Sequence, residues 1–371
     1  MKLNLFFCLT VLTCSMGCSS SEDIIETPTY VGTKNIMFIG GSNKYYAIDS
    51  EKGLLKWSFP VTKGTFEYST AFYSNNVLYV GCTDTYLYAL DAANGNLLWK
   101  FKTNEAIESS VFVSNNTVFF GSDDDNFYAL NAATGELKWK YSTNSNVSSS
   151  PTVSDDTVYF ASDDGNIYAL EQSNGTLKWK YFVGSFFNSS SASIVQNSLY
   201  IGNRNGNIYN INKATGQLIW KKQLGGSIEY SSPTISDGFL YTTDNKSLYK
   251  IDALTGDIIW QAYNSGSYSS SPYVNENYVS VSSSSGNIIV LDKQTGNIKW
   301  QKSIYSNSAE TVATDGTVFI GGGGSNFVYA FSESDGTERW KFPINSTTTS
   351  APVMINKEGK LFYPSKSGGR N

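Results

Sequence analysis

The sequence predicts an all-β fold, an eight-bladed β-propeller of four-stranded antiparallel blades. Three observations carry that prediction. The eight tryptophans, Trp57, Trp99, Trp139, Trp179, Trp220, Trp260, Trp300 and Trp340, are separated by 42, 40, 40, 41, 40, 40 and 40 residues. Each has a glycine four positions before it: Gly53, Gly95, Gly135, Gly175, Gly216, Gly256, Gly296 and Gly336. Each unit between them divides into four short β-rich runs separated by Asp, Asn, Gly and Ser clusters. A fixed period of about 40 residues means stacked supersecondary units.

One unit shows how the elements arise. In Ser150 to Tyr181 the runs are A (Thr152–Val153), B (Thr157–Ala161), C (Asn166–Leu170) and D (Leu177–Tyr181). Val, Ile, Tyr, Phe and Thr dominate them, and none is long enough for an ordinary helix. Runs B and C lack in–out alternation, as in Val118-Phe119-Phe120 and Val158-Tyr159-Phe160. Such runs suit strands buried on both faces. Sheets standing face to face around an axis bury strands that way, whereas a flat sandwich leaves one face polar.

The glycines close the C–D turns, as in Ala92-Ala93-Asn94-Gly95, where a tight hairpin wants a positive φ. The tryptophans are wide enough to bridge to the next blade, with the indole N–H free to reach a backbone acceptor. Trp179→Ala is therefore expected to destabilise by about 3–5 kcal/mol, the range for large aromatic truncations.

The first repeat lacks a clear A strand, and Ala351-Pro352-Val353-Met354-Ile355 offers one from the C-terminus, latching the ring. Leu361-Phe362-Tyr363 then competes with Ile36-Met37-Phe38-Ile39 as strand B of that blade. The propeller is assigned to residues 34–371.

Residues 1–18 read as a lipoprotein signal. Lys2 precedes a short apolar run, Leu5 to Leu12, and Ser15-Met16-Gly17-Cys18 resembles a lipobox that would place the lipid on Cys18. The run is too short to span a bilayer, which needs about 20 apolar residues. Residues 19–33 begin Ser19-Ser20-Ser21-Glu22-Asp23 and read as a polar, acidic tether. Ser19 after the cysteine resembles outer-membrane sorting, and the acidic stretch resembles signals that carry some bacterial lipoproteins to the cell surface. The periplasmic or outward side stays open.

Composition narrows the chemistry. There is no histidine, so the usual general base and the commonest transition-metal ligand are missing. Beyond Cys18 the one cysteine is Cys82, which leaves no intrachain disulfide for the mature chain. The net charge is −5 with mixed signs and no basic stripe, which speaks against nucleic acid as a partner. The lipid anchor is the one membrane attachment expected.

The runs Ala89-x-Asp91-x-x-x-Gly95-x-x-x-Trp99 and Ala129-x-Asn131-x-x-Thr134-Gly135-Glu136-x-x-Trp139 resemble the tryptophan-docking motif of the PQQ-like, or quinoprotein dehydrogenase-like, propellers. The resemblance covers roughly residues 35 to 355 and implies eight blades. No Asp follows any of these tryptophans, which excludes WD40 repeats. Within the superfamily, a lipid anchor without a catalytic domain looks most like the outer-membrane assembly lipoproteins of the BamB type.

A quinone-dependent dehydrogenase needs a tryptophan floor for its cofactor, and all eight tryptophans are committed to the repeat. It also needs calcium held by oxygen ligands. Asp123-Asp124-Asp125 and Asp163-Asp164-Gly165 sit in short B–C turns without the spacing of a calcium loop and read as solvated turn residues. The expectation is no catalysis, no cofactor and no metal.

A binding surface is the better expectation. The D–A and B–C connections share one face of a propeller, and loops on a rigid scaffold are where binding usually lives. The D–A connections carry Phe66, Glu67, Tyr68, Glu108, Phe186, Phe187, Glu229, Tyr230, Tyr268, Tyr305 and Glu310, and the B–C turns add Arg204 and Lys246. Aromatics with polar neighbours suit a protein partner or, alternatively, a glycan. The glutamates fall in different registers, so no symmetric acidic ring forms.

Overall fold

The computed structural model describes residues 34–187, 190–228, 231–263, 268, 270–283, 285–305, 311–312, 316–322, 324–344 and 348–363. The signal, Cys18 and the tether lie outside the described residues. Eight antiparallel sheets form the eight blades of a propeller, and no helix occurs among the described residues.

Blade 4 represents the rest. Its strands are A (Thr152–Ser154), B (Thr157–Ala161), C (Asn166–Glu171) and D (Leu177–Phe182), paired in that order. Strand B and the first five residues of strand C are buried throughout, because neighbouring blades cover both faces. Strand D alternates between exposed and half-buried and forms the outer edge. Lys178 and Lys180 flank its tryptophan, and charged residues on an edge strand discourage pairing with another chain. A bulge between Ala169 and Leu170 shifts the C–D register, and it recurs at the same place in every blade.

Two belts join the blades. In the outer one, each indole N–H donates to a backbone carbonyl of the following blade. The acceptors of Trp57 to Trp340, in order, are Ala92, Ala132, Gln172, Lys213, Ala253, Lys293, Glu333 and Ser50, at 2.7–3.3 Å. The last bond returns to blade 1 and closes the circle. The turn glycines have a second role that the sequence did not reveal. Each lies under the indole of the preceding blade, at φ between +64° and +77°, where an added Cβ would come within 2.6–3.1 Å of the ring. Glycine is needed there for close approach as well as for the turn.

The inner belt is made of serine hydroxyls. The amide of Thr70 donates to Ser110 Oγ, and the amides of Ser110, Ser150, Ser191 and Ser232 donate to the hydroxyls of Ser150, Ser191, Ser232 and Ser271, at 2.8–3.0 Å. Each link crosses to the next blade. The preceding serine acts locally, since Ser69, Ser109, Ser149, Ser231 and Ser270 accept an amide from strand B of their own blade. All these hydroxyls are buried, where an unpaired polar group would be costly.

Blade 1 contains both ends of the described chain. Strands B (Ile36–Gly40), C (Lys44–Asp49) and D (Leu55–Pro60) come from the N-terminal side, and Val353–Ile355 supplies strand A. Leu361–Phe362 is a fifth strand paired to strand A, so Ile36–Gly40 fills position B. Strands A of blades 2 to 7 pack on one another around the axis. A strand on the far side of strand A therefore lies toward that axis. Tyr363 stacks there on Phe72 at 5.3 Å and exchanges two hydrogen bonds with the backbone of Tyr73. Cys82 is a free thiol buried in the core, and its burial pushes the thiol pKa up.

Candidate functional site: a groove on the connection face

The D–A connections and B–C turns share one face, and the connections into blades 2 to 6 pack against the B–C turn of the blade they enter. The amides of Thr83, Asp123, Asp163, Arg204 and Asn245 donate to the carbonyls of Thr65, Ala106, Asn146, Phe186 and Ser227. An apolar side chain plugs each of the connections entering blades 2 to 7 into the body. Phe66, Ile107, Val147, Phe187, Ile228 and Tyr268 are all 5% exposed or less.

This corrects three of the residues expected on the surface. Phe66, Phe187 and Tyr268 are plugs and are unavailable to a partner. Phe66 sits against Gly40, and Tyr268 packs with Tyr241 and Val281. The signal was present in the sequence, because an apolar residue recurs two or three positions before each serine pair.

The other expected residues are dispersed. Glu67 is half-buried and accepts a 2.6 Å bond from Ser42 Oγ. Tyr68, Tyr305 and Lys246 are exposed on separate blades, and Lys246 Nζ donates to the Gly225 carbonyl at 3.3 Å. Glu229, Tyr230 and Glu310 lie outside the described residues.

Phe186 and Arg204 do come together. They line a groove of about 460 Å³ between blades 4 and 5, with Phe182, Asp163, Asp164 and Gly165. Phe182 is 67% exposed and Phe186 51% exposed. The Phe182 ring lies over Gly165, where a Cβ would stand 3.1 Å from its edge. Sequence reading missed Phe182 because it ends strand D. The available signal was substitution within the repeat, since Ser142, Gln223 and Ser303 hold the same outward position.

Carboxylates border the groove toward blade 3. The B–C aspartates divide into two kinds, which corrects their reading as uniformly solvated. Asp124 and Asp164 accept a tyrosine hydroxyl, from Tyr128 at 2.7 Å and Tyr168 at 2.6 Å, and cap the turn amides of Asn126 and Asn166. They hold the turns. Asp123 is half-buried and accepts a 3.3 Å bond from Ser148 Oγ. Burial, and next the charge of Glu108, push its pKa up to about 7. Glu108 is raised as well, by burial and then by Asp163. The groove therefore sets two exposed rings beside Asp163 and Asp164, and the charge of Asp163 reaches Glu108 and Asp123 of blade 3. It can seat an apolar side chain and accept a hydrogen bond or cation beside it. Among the described residues no cluster of three or more His, Cys, Asp or Glu could hold a metal ion.

Comparisons with known proteins agree with the fold. A family model described as "Beta-alanine-activating enzyme, beta-propeller" matches residues 24–274. BamB from Moraxella catarrhalis superposes with a TM-score of 0.68 at 16% identity, covering 81% of this chain and 97% of that one. The dihydro-heme d1 dehydrogenase NirN superposes with a TM-score of 0.74 at 14% identity, covering 89% of this chain and 79% of that one. The quinohemoprotein alcohol dehydrogenase ADHIIG from Pseudomonas putida HK5 gives 0.65 at 16% identity, with 82% and 70% covered. No curated protein sequence matches. At these identities the structural likeness speaks to fold alone.

Proposed function

The chain belongs to the family described as beta-alanine-activating enzyme, beta-propeller, and from that premise we propose a non-catalytic β-propeller scaffold that binds a protein partner. The scaffold is held at a bacterial outer membrane by a lipid on Cys18, and its role there is in outer-membrane protein assembly. The observation that carries the reading is the groove of Phe182, Phe186 and Arg204 on the connection face. Two exposed rings with a polar rim are the make-up of a protein-binding patch. The lipobox and the likeness to BamB support the location and the role.

Three observations favour binding over catalysis. Every indole is spent on a blade-to-blade bond, which leaves none as a cofactor floor. The sequence has no histidine to serve as a base. Phe72 and Tyr363 occupy the inner edge of the ring, where an axial cofactor would need room.

The test is purification of the tagged full-length protein from solubilised outer membranes, as wild type and as the double variant Phe182→Ala/Phe186→Ala. A β-barrel assembly component should accompany the wild type and be lost from the variant. Partners unchanged between the two would refute the groove as the docking site. Oxidation of an alcohol with a dye acceptor, after adding PQQ and calcium, would refute the non-catalytic reading.

A further inference from the structure

The opposite face, built of A–B and C–D turns, carries a separate feature. At four blade interfaces the residue after strand C reaches into the A–B turn of the preceding blade. Gln172 Oε1 accepts from Asn115 Nδ2 at 2.8 Å, and Gln172 Nε2 donates to Ser114 Oγ at 3.1 Å. Lys213 Nζ bonds Ser154 Oγ and Asp155, each at 2.8 Å. Lys293 repeats this with Ser236 and Asp237, and Asn275 donates to Glu333. Turn and reaching residue match in kind at each interface: carboxamide with carboxamide, carboxylate with ammonium, carboxamide with carboxylate.

The interface between blades 2 and 3 has the turn and lacks the arm. Its turn is Ser74-Asn75, and Asn75 at φ 50° has the backbone of Asn115 at 47° and Asp155 at 51°. Ala132 stands where Gln172 stands one blade on. A cavity of about 330 Å³ remains, lined by Ser74, Asn75, Tyr79, Leu98, Trp99 and Ala132. The Ala132 carbonyl already accepts from Trp99 and Tyr79, and Ser114 and Asn115, which also line the cavity, bond Gln172, so the side chains of Ser74, Asn75 and Asn116 are the polar groups that face a guest. Ala92 and Ala253 are also short, but their turns differ. Asn356 caps its own turn through Oδ1, and the blade 5 turn reads Val195-Gln196.

We propose that this cavity is a binding site for a primary carboxamide, held by Ser74 and Asn75 over the edge of Trp99, as Gln172 is held by Ser114 and Asn115 next door. The site selects an amide over an ammonium because Asn75 is neutral where Asp155 and Asp237 are charged. It lies on the other face from the groove and does not depend on the proposed function.

The test is an NMR titration of tryptophan-15N-labelled protein with propionamide, the analogue of a glutamine side chain. The Trp99 indole signal should shift and saturate in the millimolar range, while the seven other indole signals stay in place. Propylammonium should leave it unmoved. Ala132→Gln should abolish the shift by filling the site, and Asn75→Asp should exchange the preference to propylammonium. N-acetylglutamine methylamide, tried alongside, identifies the source. Binding at least as tight as propionamide means a side chain of a docked protein, and binding by propionamide alone means a free small amide. No Trp99 shift, or a shift that survives Ala132→Gln, would overturn the proposal.

Discussion

Gly135 offers a quantitative test of the outer belt. Its φ is +74°, and an added Cβ would lie 2.7 Å from Cε3 and 2.8 Å from Cδ2 of Trp99. Gly238 has nearly the same φ, +77°, with nothing within 4 Å of its Cβ position. Gly238→Ala should therefore cost the backbone penalty alone, about 1 kcal/mol. Gly135→Ala carries that penalty and must also displace the indole. Overpacking of this kind costs about 1–3 kcal/mol. Lifting the ring weakens the 3.1 Å bond from Trp99 Nε1 to the Ala132 carbonyl, worth about 1 kcal/mol more. The expected totals are about 1 kcal/mol for Gly238→Ala and about 3–5 kcal/mol for Gly135→Ala. Urea unfolding followed by tryptophan fluorescence, with unchanged m-values, measures both. Equal losses within about 0.5 kcal/mol would refute the claim that contact with the indole dictates glycine at these turns.

Three further perturbations follow. Trp179→Ala should cost about 3 kcal/mol, the low end for a large aromatic because the ring is half-buried, and a loss below about 1 kcal/mol in the same titration would contradict its docking role. Ser150→Ala removes the acceptor of the buried Ser110 amide and should cost about 1–3 kcal/mol, with faster hydrogen exchange at that amide. For Asp123 the folded pKa of about 7 lies above the ordinary value. The folded protein then binds a proton more tightly than the unfolded chain, so this group's contribution to stability is lost as pH rises from about 4 to about 7. Asp123→Asn should accordingly stabilise the protein at pH 8 by about 1–3 kcal/mol and much less at pH 5. An equal effect at both pH values would show that the carboxyl is not perturbed.

The blades were legible because their signals repeat. One tryptophan in one frame is ambiguous, whereas eight at one spacing fix the number and order of sheets. The C-terminal closure was half legible. Val353–Ile355 entered blade 1 as strand A, as its apolar pattern indicated, but Leu361-Phe362 and Ile36-Met37-Phe38-Ile39 are equally apolar, and register alone separates them. The connection face was the least legible part. Aromatic character does not reveal whether a side chain is a plug or an exposed ring, as the neighbours Phe186 and Phe187 show by pointing one outward and one inward. Phe182 takes its place from a groove shared with blade 5, and the Asp123–Glu108 pair from a connection folded back on the turn of the blade it enters, neither of which a strand pattern reveals.

Completing blade 1 with a strand from the other end imposes an order on biogenesis. The bond from Tyr46 to the Ile344 carbonyl joins residues 298 positions apart. Contacts of that span are slow to form because the intervening chain must first be ordered. A polypeptide emerging N-terminus first can stack blades 2 to 7 as they appear, yet the edge of Ile36–Gly40 stays unpaired until the final segment arrives. Until then the nascent molecule is an open arc with a naked strand at one tip, a template for wrong partners. Loss of about twenty C-terminal residues would leave every blade but one intact and still deny the protein its ring, so early termination is a more damaging lesion than its length suggests.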